Sequence, residues 1–189
     1  MLKNLVAQSR SVRRFVEKEA VGSQVLAELI DLARQSPSAG NLQRLRFRPV
    51  REAGERDGVF QALGWAAYLK DWQGPKPGER PAAYIVICGP EKGGEHLFCD
   101  IGIAAQTMAL GAAEKGLGAC MLANMDKEVL RRVLAIPESL DILLVLALGE
   151  PGEKVVMEAM KQDSSVQYWR DEKGVHHVPK RLLSDILIS

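Results

Sequence analysis

Three guanidiniums lie within five residues near the start of the chain, at Arg10, Arg13 and Arg14 of Ser9-Arg10-Ser11-Val12-Arg13-Arg14-Phe15. Arginine presents a planar fork of donors that grips phosphate bidentately, and Ser11 adds a hydroxyl. If the segment opens a helix, spacings of three and four residues stack like charges, which costs stability unless an anion sits among them. A solvated basic edge explains the same residues and is the commoner outcome. A second stretch, Ser36-Pro37-Ser38-Ala39-Gly40-Asn41-Leu42-Gln43, replaces helical residues with small, polar and turn-forming ones. Such a loop can close around a ligand, although its composition is also ordinary helix-stop chemistry. The run Gly116-Leu117-Gly118-Ala119-Cys120-Met121-Leu122-Ala123-Asn124 reads as a helix stop followed by a buried strand. Lys180-Arg181 forms a basic pair near the end, as a solvated terminus or a helix-dipole partner would.

Other chemistries find less support. His176 and His177 are neighbours, and neighbours on a strand face opposite ways, so they do not easily share one ion. No His/Cys/Asp cluster has zinc spacing, and no metal is assigned. The chain carries no Gly-x-Gly-x-x-Gly fingerprint, no P-loop and no plausible Ser-His-Asp order. Trp65, Tyr68, Trp72 and the Gly74–Pro81 stretch suit either a core or a lid.

The elements that must position these groups follow from periodicity and punctuation. Leu2–Gln8 is a short helix. Ser23 caps a helix to about Gln35, whose Val25, Leu26, Leu29, Ile30 and Ala33 form one apolar stripe; Pro37 stops it. Phe47–Arg51 is a strand, Val59–Leu69 a helix, and Ala82–Cys88 a buried strand. Glu95–Lys115 is a long helix, apolar nearly all round and rich in small residues, which suits a core or a subunit interface; Gly116 ends it. Ala119–Leu122 is a strand, Asp126 caps a helix over Lys127–Leu134, and Ile142–Leu148 is a buried strand. Gln167–Arg170 and Val175–Val178 flank a hairpin turn, and Leu182–Leu187 is a closing helix. Strands alternating with helices give an α/β sandwich with helices packed over a sheet.

At 189 residues, 47% hydrophobic and 26% charged, the chain reads as one soluble globular domain spanning 1–189. Its net charge of +1 carries no global field for nucleic acid or an anionic membrane. Cys88, Cys99 and Cys120 are widely spaced and read as reduced core thiols of a cytoplasmic protein. The segment Met1-Leu2-Lys3-Asn4-Leu5-Val6 lacks the long apolar run of a signal peptide, and the most apolar run, Ile101 to Ala113, is too short to span a bilayer.

The order and spacing of these segments resemble the nitroreductase family of FMN-dependent oxidoreductases over nearly the whole chain. The resemblance implies an α+β fold: a nitroreductase-like α/β sandwich with a mixed sheet, helices packed over it and a long central helix at a dimer interface. It assigns Arg10, Ser11 and Arg13 to the FMN phosphate, ribityl chain and pyrimidine edge, with Arg13 as the cation that tunes the flavin. Pro37, Ser38, Ala39, Asn41 and Gln43 match the family's Pro-Ser-x-x-Asn-x-Gln loop, which a second subunit donates; this implies a homodimer with shared FMN sites. Met121, Leu122, Ala123 and Asn124 match the strand along one flavin face, ending in a backbone N–H aimed at flavin N5. Lys180 and Arg181 match basic residues at the phosphate. Three departures stand out: Ser9 replaces a basic residue, Arg44-Leu45 replaces Pro-Trp after Gln43, and Ala123-Asn124 replaces two glycines. The implied function is electron transfer from NAD(P)H to a small electrophilic acceptor, nitroaromatic or quinone, by a ping-pong mechanism in which no side chain acts as a nucleophile. Dehalogenation, flavin fragmentation, a non-catalytic flavin-binding role and a structural or interaction protein that has lost FMN are the alternatives.

Overall fold

A strand apolar at every position must be covered on both faces, and Ala83–Gly89 is buried along its whole length. It is β2 of the computed structural model, which describes residues 1–69, 71–161 and 164–188. The helices are α1 (Leu2–Gln8), α2 (Ser23–Gln35), α3 (Ala53–Gln61), α4 (His96–Glu114) and α5 (Lys127–Leu134). The other strands are β1 (Arg46–Val50), β3 (Gly118–Leu122), β4 (Asp141–Gly149), β5 (Val155–Ala159), β6 (Trp169–Arg170) and β7 (His176–Lys180). No helix among the described residues is long and apolar enough to cross a membrane.

Two sheets divide the strands. The larger has the order β1-β2-β4-β3 and is antiparallel throughout. The smaller, β5-β7-β6, pairs β5 with β7 in parallel and β6 with β7 antiparallel. Parallel pairing occurs between β5 and β7 of the smaller sheet and at the isolated bridge of Ser11 with Ala119 on the edge of the larger one. Side chains alternate across the larger one. Ala83, Ile85, Ile87, Leu146 and Leu148 face α2 and α4, while Tyr84, Val86, Cys88, Val145 and Ala147 face α3 and α5. A register shift at Ile87/Cys88 lets Ile142 join the second set despite its odd spacing from Val145.

Most expected elements fall within a residue or two of those observed, and the exceptions have local causes. The helix read as Val59–Leu69 ends at Gln61. Leu63 bridges Met125, and Gly64 N–H donates to Asn124 O at 2.9 Å, so the chain leaves the helix to pair with the segment after β3. Gly22 rather than Ser23 is the N-cap of α2. The closing helix is a single 3₁₀ turn, Leu183–Asp185. Strand β5 lacks an alternating signal and has no expected counterpart. Cys88 and Cys120 are buried, but Cys99 is exposed on α4, since it lies off the sheet-facing side of that helix.

Chain crossings bind the two ends of the molecule together. Gly152 N–H donates to Arg14 O at 2.8 Å, and Val16 N–H to Glu150 O at 2.9 Å. A Cβ on Gly152 would meet the carbonyl carbon and oxygen of Phe15 at 2.8 and 2.9 Å, and that backbone is held by its own bonds. Gly152→Ala should therefore cost about 2 kcal/mol and lower Tm by about 6 °C. Gly54→Ala, where nothing lies within 4 Å, should not destabilise. Equal Tm values for the two variants would contradict the close approach.

Candidate cofactor cleft

The arginine segment is extended, not helical. Ser11 bridges Ala119 in parallel, Val12 N–H donates to Ala119 O at 3.0 Å, and Phe15 bridges Pro151. Pairing with the free edge of β3 removes the stacked like charges that a helix would impose. Val12 and Phe15 drop into the core at 6% and 1% exposure, which sets the direction of the polar residues between and beside them.

Arg10, Ser11 and Arg13 thereby line one cleft of about 340 Å³. Its other walls are Gln106 and Ala109 of α4, Ala119 and Met121 of β3, and Tyr168, Val178 and Lys180 of the C-terminal hairpin. Three cations face this space with no carboxylate among the described lining residues. Arg10 is held by weak partners: Nη2 donates to Val6 O at 2.6 Å, Nη1 to the Met157 sulfur at 3.1 Å, and its buried Nε has no partner among the described residues. An anion is the natural completion of such a guanidinium.

Glu153 organises the cleft from behind. Its side chain is 1% exposed. Oε1 accepts from the backbone N–H groups of Arg13 (2.6 Å) and Arg14 (3.2 Å), while Oε2 accepts from Arg170 Nη2 at 2.7 Å. The Arg13 guanidinium goes elsewhere. Its carbon lies 4.6 Å from the centroid of the Tyr168 ring, and Nη1 donates to Ser11 O (3.3 Å) and His176 Nε2 (3.1 Å). Arg14 points away from the cleft, to Glu79 at 3.5 Å and the Trp72 ring.

The two adjacent histidines have opposite environments. His176 is fully buried; burial, reinforced by Arg13, pushes its pKa down to about 4. His177 stacks on Trp169, and its two ring nitrogens face Glu158 and Asp171. Those hydrogen bonds, Glu158's foremost, raise its pKa.

The remaining expected site residues lie elsewhere on the chain. Pro37, Ser38 and Gln43 line a separate pocket of about 280 Å³ with Arg44, Phe47 and Asp100. Gly40, Asn41 and Gln43 all have positive φ, which non-glycine residues adopt at a cost. Asp100, 3% exposed, holds this loop to α4: Oδ1 accepts from Ala39 N–H at 2.8 Å and Oδ2 pairs with Arg44 at 3.2 Å. Asn41 itself is exposed. Leu122 is 6% exposed and packs in the core, because strand alternation turns it inward from the cleft-lining Met121. Ala123 lines a different depression, beside Lys127 and Leu143. Asn124 packs against Gly64, and Arg181 is exposed outside the cleft wall. Glu153, Tyr168 and Gln106 were not anticipated. Tyr168 lies in the anticipated hairpin, whereas nothing local distinguishes Glu153.

Comparison with known proteins identifies the family and the fold. Residues 6–150 match the sequence profile of the Nitroreductase family. A protein of Methanothermobacter thermautotrophicus, provisionally named NADH dehydrogenase/NAD(P)H nitroreductase, is 29% identical over 150 residues, covering 76% of this chain and 74% of its own. The iodotyrosine deiodinase of Thermotoga neapolitana is 26% identical over 171 residues, covering 81% of this chain and 90% of its own. The solved FMN-dependent nitroreductase of Clostridium difficile R20291 superposes with a TM-score of 0.62 at 20% identity, covering 82% of this chain and 89% of its own.

The histidine environments make a pH prediction. His176 is bounded by Arg13, Tyr168, Glu153, Arg170 and His177. Unfolded, it takes up a proton as pH falls through about 6.5; folded, it resists until about 4. Its stabilisation is complete above pH 6.5 and is withdrawn between 6.5 and 4, by about 3 kcal/mol at most. His177 shifts the other way, so its contribution is present on the acid side and is lost as pH rises through its folded pKa. Thermal melts from pH 7 to 4.5 should show wild type losing more Tm than His176→Gln. Parallel losses in the two proteins would show that His176 is not the group responsible.

Proposed function

The chain belongs to the nitroreductase family, and on that premise we propose that it is an FMN-dependent oxidoreductase passing electrons from NAD(P)H to a small electrophilic acceptor of nitroaromatic or quinone type. One observation carries this reading: Arg10, Ser11, Arg13 and Lys180 converge on a single cleft with no carboxylate among its described lining residues, while Arg14 is engaged outside it. The residues fit FMN. Arg10, Ser11 and Lys180 suit its phosphate, and Arg13 suits the electron-rich edge of its ring. Ala109, Ala119 and Met121 supply the apolar wall that a flat aromatic needs. FMN, when bound, supplies the redox chemistry, and the protein binds and orients it. Arg13 contributes a fixed positive charge, placed before reaction so that no reorganisation is needed as negative charge develops. Donor and acceptor have one cleft to share and take turns in it, which is a ping-pong order.

The functional unit in this proposal is a homodimer with shared sites. Within one chain the Asn41 loop hangs on α4 at Asp100, and the cleft is walled by α4 at Gln106. Those positions are about 9 Å apart along the helix axis. The face of α4 bearing Phe98, Cys99, Gly102 and Ile103 is exposed, with Phe98 at 76%. A second copy covering that stripe would bury it and bring its own loop to the cleft. The buried Cys88 and Cys120 thiols, pushed up to about 11 by desolvation, suit a cytoplasmic protein. Reductive dehalogenation is the second reading, favoured by the likeness to the Thermotoga deiodinase over most of both chains; release of iodide from iodotyrosine with no reduction of quinones would select it.

FMN titration tests the site. Arg10→Glu should weaken binding at least about a hundredfold, since it sets a like charge beside phosphate, and Arg14→Glu far less. An Arg10→Glu chain mixed with an FMN-poor Asn41 variant should regain up to one good site per heterodimer. Equal effects of the two arginine changes, or no recovery in proven heterodimers, would refute the assignment or the sharing.

Steady-state rates with NAD(P)H and a quinone or nitroaromatic should give parallel double-reciprocal lines. Intersecting lines would exclude alternating occupancy, and FMN binding without turnover would leave a flavin-binding protein.

A further inference from the structure

A charged side chain that must stay charged needs an anchor that does not neutralise it. Among the described residues, Arg13 meets no carboxylate through its guanidinium. Glu153, the acid nearest to hand, is spent on the backbone N–H groups of Arg13 and Arg14 and on Arg170. The guanidinium is held instead by Ser11 O, by His176 Nε2 at 3.1 Å, and by the face of Tyr168. All three are neutral. Both contacts to the Arg13 fork use Nη1, leaving Nε and Nη2 without a protein partner among the described residues, on a side chain that lines the cleft.

We infer that His176 is a positioning residue for Arg13: its neutral imidazole accepts from Nη1 and fixes the guanidinium at the cleft wall without cancelling its positive charge. The chemistry of the pair dictates the tautomer. A guanidinium can only donate, so Nε2 is the bare nitrogen and Nδ1 carries the proton. Nδ1 is buried and has no partner among the described residues, so the contact with Arg13 is the one hydrogen bond of the ring among them. Its zero exposure and its cationic neighbour both oppose protonation, which keeps it an acceptor. Tyr168 completes the clamp, its ring centroid 5.1 Å from that of His176. The C-terminal hairpin thus sets the orientation of a cation that comes from the N-terminal segment, a role that nothing in the sequence of either segment displays.

The inference rests on FMN occupying the cleft for its functional consequence, and on the free protein for its geometry, so both are measured. In the FMN-free protein at pH 7, long-range ¹H–¹⁵N spectra should show His176 neutral with its proton on Nδ1. A proton on Nε2 overturns the positioning role whatever the cleft holds. With FMN, His176→Leu should bind about tenfold more weakly, while His176→Gln, which keeps an acceptor, stays within about threefold of wild type. His176→Glu should bind FMN and yet lower its midpoint potential below that of His176→Gln, because a carboxylate cancels the Arg13 charge. If His176→Leu fails to fold, the Gln and Glu variants decide. Identical affinity and potential in those two overturn the inference while leaving the FMN reading intact. A wild-type protein that takes no FMN overturns the FMN reading and the functional half of this one.

Discussion

The buried carboxylate of Glu153 is the constraint from which the cleft follows. An uncompensated buried carboxylate costs several kcal/mol, so its position is acceptable only where donors converge. Here they converge from both ends of the chain: two backbone N–H groups from residues 13 and 14, and the guanidinium of Arg170 in the C-terminal hairpin. The N-terminal segment must turn the consecutive N–H groups of residues 13 and 14 toward one oxygen of Glu153, just beyond the stretch where Ser11 and Val12 pair with Ala119. Removing the carboxylate would leave Arg170, 11% exposed, without its counter-charge, and the hairpin and the arginine segment without their common tie.

Elements built from local pattern were legible. β2 and β4 are continuous apolar runs, Asp126 caps α5 through its side chain at 3.0 Å, and Gly116 ends α4 at φ +75°. The cleft was legible in part, since Arg10, Ser11, Arg13, Met121 and Lys180 all reach it. What escaped was decided over distance. The arginine segment took an extended form because a strand edge more than a hundred residues away offers it hydrogen bonds. Glu153 and His176 lie 140 and 163 residues from Arg13, and no window on the sequence joins them. The α3 boundary failed for the same reason, through pairing of Leu63 with Met125.

The departure at Arg44-Leu45 has a physical account. Arg44 reaches Asp100 and the carbonyl of Gly93, and Asp100 in turn receives Ala39 N–H. A buried ion pair therefore fastens to α4 a loop in which Gly40, Asn41 and Gln43 hold left-handed conformations. The tie matters because strained loops relax when nothing over-determines them. It also fixes where the loop projects: from the same helix whose exposed face carries Phe98 and Ile103. Apolar stripe and strained loop are thus one rigid surface, and any copy that docks on the stripe meets the loop at a set position.

The histidine pair shows how strand geometry assigns chemistry that composition leaves open. Two adjacent imidazoles of the same type would share one protonation state in a flexible chain. On β7 their side chains alternate, so one enters a dry space beside a cation while the other stands between Glu158 and Asp171. The second has an acceptor at each ring nitrogen, which only the doubly protonated ring can satisfy. The first faces a donor that cannot accept, which only the neutral ring can satisfy. A register slip of one residue would exchange these environments. It would place a protonated ring against Arg13 and a neutral one between two carboxylates, and both substitutions are unfavourable. This electrostatic sorting opposes a slip in the pairing of His176 with Val155 and Arg170, adding to the backbone ladder of the hairpin that walls the cleft.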